Sequence, residues 1–166
     1  MLQNFKMHIG ALTRFSGRET RAMFWPWVGI VMVLNLLITL ATGSFSITIQ
    51  SDNPESMSEI SSFFAIIWIG ALIAIVLLAA AVVRRLHDSG RSGLLGILPL
   101  PFLGFGFYLM DNLFGRLRFE EEPDMNQFKL LFANNILYLA LLALLAYLLA
   151  RKSSVGDNSF GPPPVS

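Results

Sequence analysis

The residues with the greatest chemical capacity in this chain sit in short polar stretches. One reads Arg84-Arg85-Leu86-His87-Asp88-Ser89-Gly90-Arg91-Ser92. Arginine presents a planar fork of donors that matches carboxylate or phosphate oxygens, and backbone N–H groups in a turn can add to it. Three arginines, two serines and a turn glycine within nine residues can therefore hold an anion. A second set, Arg14, Arg18 and Arg21, is spaced four and three apart, which puts all three on one face of a helix. The candidate anion-binding set is thus Arg14, Arg18, Arg21, Arg84, Arg85, His87, Asp88, Arg91 and Ser92. The ligand that suits it is an anionic phospholipid headgroup, attracted by ~1 kcal/mol per basic residue near a membrane surface. The pattern also allows an internal use, in which Asp88 pairs with Arg14, Arg18 or Arg21 and locks the two stretches together.

Catalytic chemistry has less to stand on. His87 and Asp88 suggest acid–base work, but adjacent helical side chains point ~100° apart and do not face each other. Ser-x-x-Lys, Gly-x-Ser-x-Gly, His-Glu-x-x-His and phosphate-loop motifs do not occur. The chain has no cysteine, which excludes disulfides, thiolate nucleophiles and Cys-ligated metals. A two-histidine metal site would have to join His8 to His87 across distant segments. The expectation is a protein that is not an enzyme and has no cofactor or metal. Basic residues are dispersed and net charge is only +1, so nucleic acid is not an expected partner either.

The elements that position these residues are apolar. Stretches 24–43, 63–83, 93–110 and 130–149 contain no Asp, Glu, Lys, Arg or His. Twenty helical residues span the ~30 Å hydrocarbon core of a bilayer. Charged residues make up 14% of the chain, against ~25% in soluble domains. The reading is an all-α membrane protein with four transmembrane helices in one polytopic domain over residues 1–166. The first apolar run starts only at Phe24 and lacks a small-residue cleavage site, so it reads as a retained signal anchor. Nine of the twelve Lys and Arg residues fall in tail 1–23, loop 84–92 and tail 150–166, while loop 44–62 has none. The positive-inside rule then makes both termini and the 84–92 loop cytoplasmic, and this anchoring is the plainest explanation of the arginines.

Several details refine that outline. Leu2, Phe5, Ile9 and Leu12 form an apolar stripe, predicting a short amphipathic helix in the interface or packed on the bundle. Pro26 suits the first turn of a helix, and Trp25 and Trp27 suit interfacial anchors. Pro99 and Pro101 predict a kinked third span, with a re-entrant hairpin as the rival. Segment 153–166, rich in Gly and Pro, predicts a turn-rich cytoplasmic tail. Asn35, Asn134, Asn135 and the carbonyls freed at Pro99 and Pro101 are the candidates for a polar path in a small channel or transporter subunit, the alternative functional reading. Asn35 is expected instead to fasten helices together.

An Arg14-x-x-Gly17-Arg18 start leading to Trp25, an Arg-Arg-Leu-His-Asp-x-Gly-Arg-Ser loop at 84–92 and an Asn158-x-Phe160-Gly161-Pro162 tail occur in that order. On these motifs the chain resembles a bacterial inner-membrane family catalogued as domain of unknown function 805. Members usually carry tryptophans where this chain has Leu94 and Leu95, and usually have three apolar segments. Here about 40 further residues, including an acidic loop and the fourth span, separate Met110 from Gly156. The resemblance implies a multi-pass protein of the bacterial inner membrane and brings no reaction. The expected role is structural or accessory, with a cytoplasmic arginine face that binds membrane lipid, a membrane-protein partner or a second copy.

Overall fold

A computed structural model describes residues 8–41, 54–118 and 124–163, the side chains of 54–64, 117 and 118 excepted. Four long helices, α1 (Arg21–Ala41), α2 (Pro54–Asp88), α3 (Leu100–Arg118) and α4 (Met125–Ala150), carry the fold, with a 3-10 turn at Gly93–Ile97. No strand forms among the described residues; Asn158 and Gly161 make one isolated bridge. All four helices are long and apolar enough to cross a membrane. Val76, Leu72, Leu139 and Phe132 are each more than half exposed, and α4 has apolar residues on every side. A helix that is apolar all round needs a hydrocarbon environment.

The helices run as two antiparallel hairpins. The Trp27 indole donates to the Leu77 carbonyl (3.0 Å) near one end of α1–α2, and Asn35 lies against Gly70 farther along. In α3–α4, Asn134 Nδ2 donates to the Phe102 carbonyl (3.0 Å) and Gln127 Nε2 to that of Leu109 (3.2 Å). Trp68 of α2 packs on Phe107 of α3 and joins the hairpins. The start of α1, the end of α2, the 3-10 turn and the end of α4 therefore meet at one rim. The core lies just inside that rim, where Phe24, Trp27 and Val31 of α1 pack on Ala81 and Leu86 of α2 and on Leu148 and Leu149 of α4.

The helices overrun the apolar stretches. α2 continues through Arg84, Arg85, His87 and Asp88 because their polar groups find partners inside the protein. It ends in a Schellman turn: Gly90, at φ +73°, donates to the His87 carbonyl (2.9 Å) and Arg91 N to that of Leu86 (2.9 Å). Asp124 starts α4 by accepting from Asn126 N (2.9 Å).

Four sequence expectations change. In the third span the prolines stand where the 3-10 turn passes into α3, in the first turns where a missing donor costs least. From Leu100 the helix is continuous, so no re-entrant hairpin forms there. Helix α1 begins at Arg21 and places Pro26 beyond its first turn. Trp27 is 3% exposed and belongs to the core, leaving Trp25, 40% exposed, as the outward-facing tryptophan. Asn35 donates within its own helix, to Val31 (3.1 Å), rather than across to another. Of the amino-terminal stripe, Leu2 and Phe5 lie outside the described residues; Ile9 is half exposed and Leu12 packs on the core.

Candidate functional site: a buried arginine clasp

Three segments distant in sequence converge on the end of α2. Asp88, fully buried, accepts from Arg18 Nε (3.1 Å) on one oxygen, and from Arg85 Nη1 (2.5 Å) and Ser153 Oγ (2.5 Å) on the other. Its main-chain carbonyl accepts from Ser154 N (2.8 Å). Arg18 continues into the tail, donating to the carbonyls of Ser154 (2.8 Å), Gly156 (2.7 Å) and Gly161 (3.3 Å). Its guanidinium thereby ties the tail to the end of α2.

Arg85 points to α4. Its Nε donates to the Leu149 carbonyl (2.9 Å) and Nη2 to that of Arg151. These are carbonyls at a helix C-terminus, where a cation complements both the unpaired acceptors and the helix dipole. Arg84 turns the other way. Its Nε and Nη2 both reach Glu19 Oε2 at 2.9 Å, and Nη1 donates to the carbonyls of Ala11 (2.9 Å) and Arg14 (2.6 Å). Glu19 N returns a bond to the Arg84 carbonyl (3.1 Å). Adjacent residues on a helix diverge by ~100°, so Arg84 and Arg85 hold different segments.

His87 Nδ1 donates to the Gly17 carbonyl (3.3 Å), where Gly17 takes φ +91°. The face of its ring carries Phe160, parallel at 3.8 Å between centroids. Asn158 donates to the His87 carbonyl (2.9 Å) and accepts from Phe160 N (2.9 Å), closing the tail turn. His8 is buried, stacks on Trp27 at 4.9 Å and donates through Nε2 to the Met23 carbonyl (3.3 Å).

The nine residues proposed from sequence thus separate into two groups. Arg18, Arg84, Arg85, His87 and Asp88 are drawn inward, and the three guanidinium groups spend their donors on internal carboxylates and carbonyls. Most of the N–H groups of these three arginines are thus directed into the protein rather than toward the rim surface. Arg14, Arg21, Arg91 and Ser92 stay at the surface or half buried. Ser92 Oγ accepts from Leu94 N (3.3 Å) and starts the 3-10 turn. Arg21 makes one long contact to the Ala150 carbonyl (3.4 Å), and the Arg91 side chain has no partner among the described residues. Of the internal pairings open to Asp88, the one formed is with Arg18.

Glu19, Ser153 and Ser154 belong to the clasp without having been singled out from sequence, and His8 lies against it. The available signal was sign: Glu19, Asp88 and Asp157 are the only acids on the basic side of the chain, and two of them are buried on arginines. Among the described residues no three His, Asp or Glu side chains converge as metal ligands.

Burial raises the Glu19 pKa to about 7, against the pull of Arg84, and burial lowers that of His8. Among the described residues Glu19 Oε1 and His8 Nδ1 have no hydrogen-bond partner, and His8 Nε2 lies 3.7 Å from Glu19 Oε1. The folded state therefore binds a proton at Glu19 that the unfolded chain, at the ordinary value of 4.5, does not, so this group stabilises as pH falls from about 7 to 4.5. His8 works in the opposite direction below 6.5, since folding disfavours its charged form. Comparison with Glu19→Gln isolates the carboxyl: the stability of the original chain relative to the variant should grow by up to about 3 kcal/mol over that window. Chemical unfolding in detergent across pH checks it, and a pH-independent difference would contradict the assignment.

Fold and site together define a multi-pass membrane protein whose helix ends and tail are fastened by a buried ionic clasp at one rim. A family model described as protein of unknown function (DUF805) matches residues 12–162. The chain belongs to the DUF805 family. The match takes in all three segments of the clasp. No curated protein and no solved structure matches the chain.

Proposed function

We propose that this protein is a non-catalytic structural or accessory component of a bacterial inner membrane, whose cytoplasmic rim binds anionic phospholipid headgroups. The observation that carries this reading is the division of the arginines. The clasp consumes Arg18, Arg84 and Arg85, while Arg14 and Arg21 remain exposed at the same rim, Arg91 is half buried with no partner among the described residues, and Arg151 and Lys152 are exposed beside them. Cations left outward at the end of a membrane helix bundle meet phosphate before any other abundant anion. The adjacent His87 and Asp88 are committed to packing and to three donors, which supports a role other than acid–base catalysis.

The test is lipid retention by the full chain in bilayer discs of phosphatidylglycerol and phosphatidylcholine. At ~1 kcal/mol per basic residue, the triple variant Arg14→Gln, Arg21→Gln, Arg91→Gln should weaken phosphatidylglycerol binding on the order of a hundredfold. Equal retention by variant and original chain would reject the rim as a headgroup site. Orientation is tested separately, using the absence of native cysteine. Ser159→Cys should react with a membrane-impermeant maleimide only after the cells are opened, and Met125→Cys from outside; the reverse pattern would invert the topology.

A channel or transporter is less well supported. Asn134 spends its amide on Phe102 of the neighbouring helix, as a helix fastener does, and Asn35 spends its own on Val31 one turn back, so neither amide is directed into a polar path.

A further inference from the structure

A cavity of about 640 Å³ opens between the two hairpins. One wall is formed by residues 74–87 of α2, the other by the 3-10 turn and the start of α3, and Tyr138, Leu142 and Leu145 of α4 close its floor. Residues 74–87 make the cleft about 20 Å deep along the helix. One leaflet of the hydrocarbon core is about 15 Å deep. The cleft thus begins at the rim and descends through roughly one leaflet, with walls that are apolar over that length.

The mouth has a different character. His87 and Ser92 line it, and the Ser92 hydroxyl accepts from Leu94 N, so its own proton remains available to donate. Next in sequence to Ser92 is Arg91, whose guanidinium has no partner among the described residues. Phe15 lines the other side of the mouth, and its neighbour Arg14 is exposed. The carboxylates close by, Glu19 and Asp88, are buried and face the clasp arginines. An apolar slot one leaflet deep, with cations at its polar end, is complementary to an amphiphile that has a hydrocarbon tail and an anionic head.

We propose that this cleft seats one acyl chain of an anionic glycerophospholipid, with its phosphate held by Arg91, Ser92 and Arg14. The proposal rests on the headgroup reading above and adds a defined seat: a lipid wedged between the hairpins rather than one gathered loosely around the rim. It also gives the clasp a purpose, since the clasp holds together the helix ends that frame the mouth.

The experiment uses the full chain in discs containing a trace of phosphatidylglycerol with a photoreactive diazirine on its acyl chain. After illumination, label should concentrate on residues 75–82 and 142–145. Excess unlabelled phosphatidylglycerol should reduce it several-fold, and phosphatidylcholine should not. Ala79→Phe, which fills the slot, should abolish cleft labelling. Label spread over outward residues such as Leu36, Leu72 and Leu139, with no effect of Ala79→Phe, would overturn the seat. In that case a retained effect of the Arg14, Arg21 and Arg91 changes would leave the rim reading standing. Equal competition by phosphatidylcholine would overturn the phosphate contact. The map on the unaltered chain decides the matter even if Ala79→Phe fails to fold.

Discussion

Asp88→Asn should cost about 3–5 kcal/mol of stability, the loss expected when one partner is removed from a buried ion pair. The carboxylate takes one guanidinium donor on each oxygen and a serine hydroxyl besides. An amide would keep the shape, turn an NH2 group toward a donor and leave Arg18 and Arg85 buried without their counter-charge. The loss should be local first. The Ser154 amide, bonded to the Asp88 carbonyl, and the Gly161 amide, in the tail turn that Arg18 holds, should lose protection in hydrogen exchange. Thermal unfolding in detergent reads the total. An unchanged melting temperature with both amides still protected would mean that the clasp does not hold the rim together.

Arg85→Leu should be comparably severe, for a different combination of reasons. Arg85 is fully buried and gives donors to Asp88 and to the Leu149 and Arg151 carbonyls. Leucine would leave the end of α4 without its cap and Asp88 with one guanidinium. The expected loss is again about 3–5 kcal/mol, with exchange rising first in the last turn of α4. Combining Arg85→Leu with Asp88→Leu should cost less than the sum of the single changes, because each single change strands a charge that the pair removes together. Strict additivity would show that the two residues are not coupled.

The fold was legible in the sequence to the extent that it depends on local composition. Hydrocarbon solvates a helix by its side chains and forces its backbone bonds to close internally, so twenty uncharged residues identify a candidate span wherever they occur. The segregation of basic residues survives for the same reason: the arginine-bearing segments do meet at one end of the bundle. Errors came where neighbours, not composition, decide the outcome. Trp27 looked like a lipid anchor but found a backbone acceptor at Leu77 and a stacking partner in His8. The polar residues after Val83 looked like a loop, yet remain helical because each finds a partner from another segment.

The candidate site was half legible. Arginine type and spacing pointed to an anion, and the anions most tightly held are the protein's own. Arg18 and Asp88 lie 70 residues apart, and Arg18 and Gly161 lie 143 apart. No periodicity links such positions; they meet only because two hairpins bring four helix ends to one rim. The sequence alone determined the membrane address of the chain, the number of spans and the sides on which charge collects, because these follow from adding up residue properties along a segment. The tertiary structure alone decided which arginines turn inward to the clasp and which face outward at the rim. That choice turns on distances of a few ångströms between buried charges, where desolvation makes an unpaired group costly and a paired one silent.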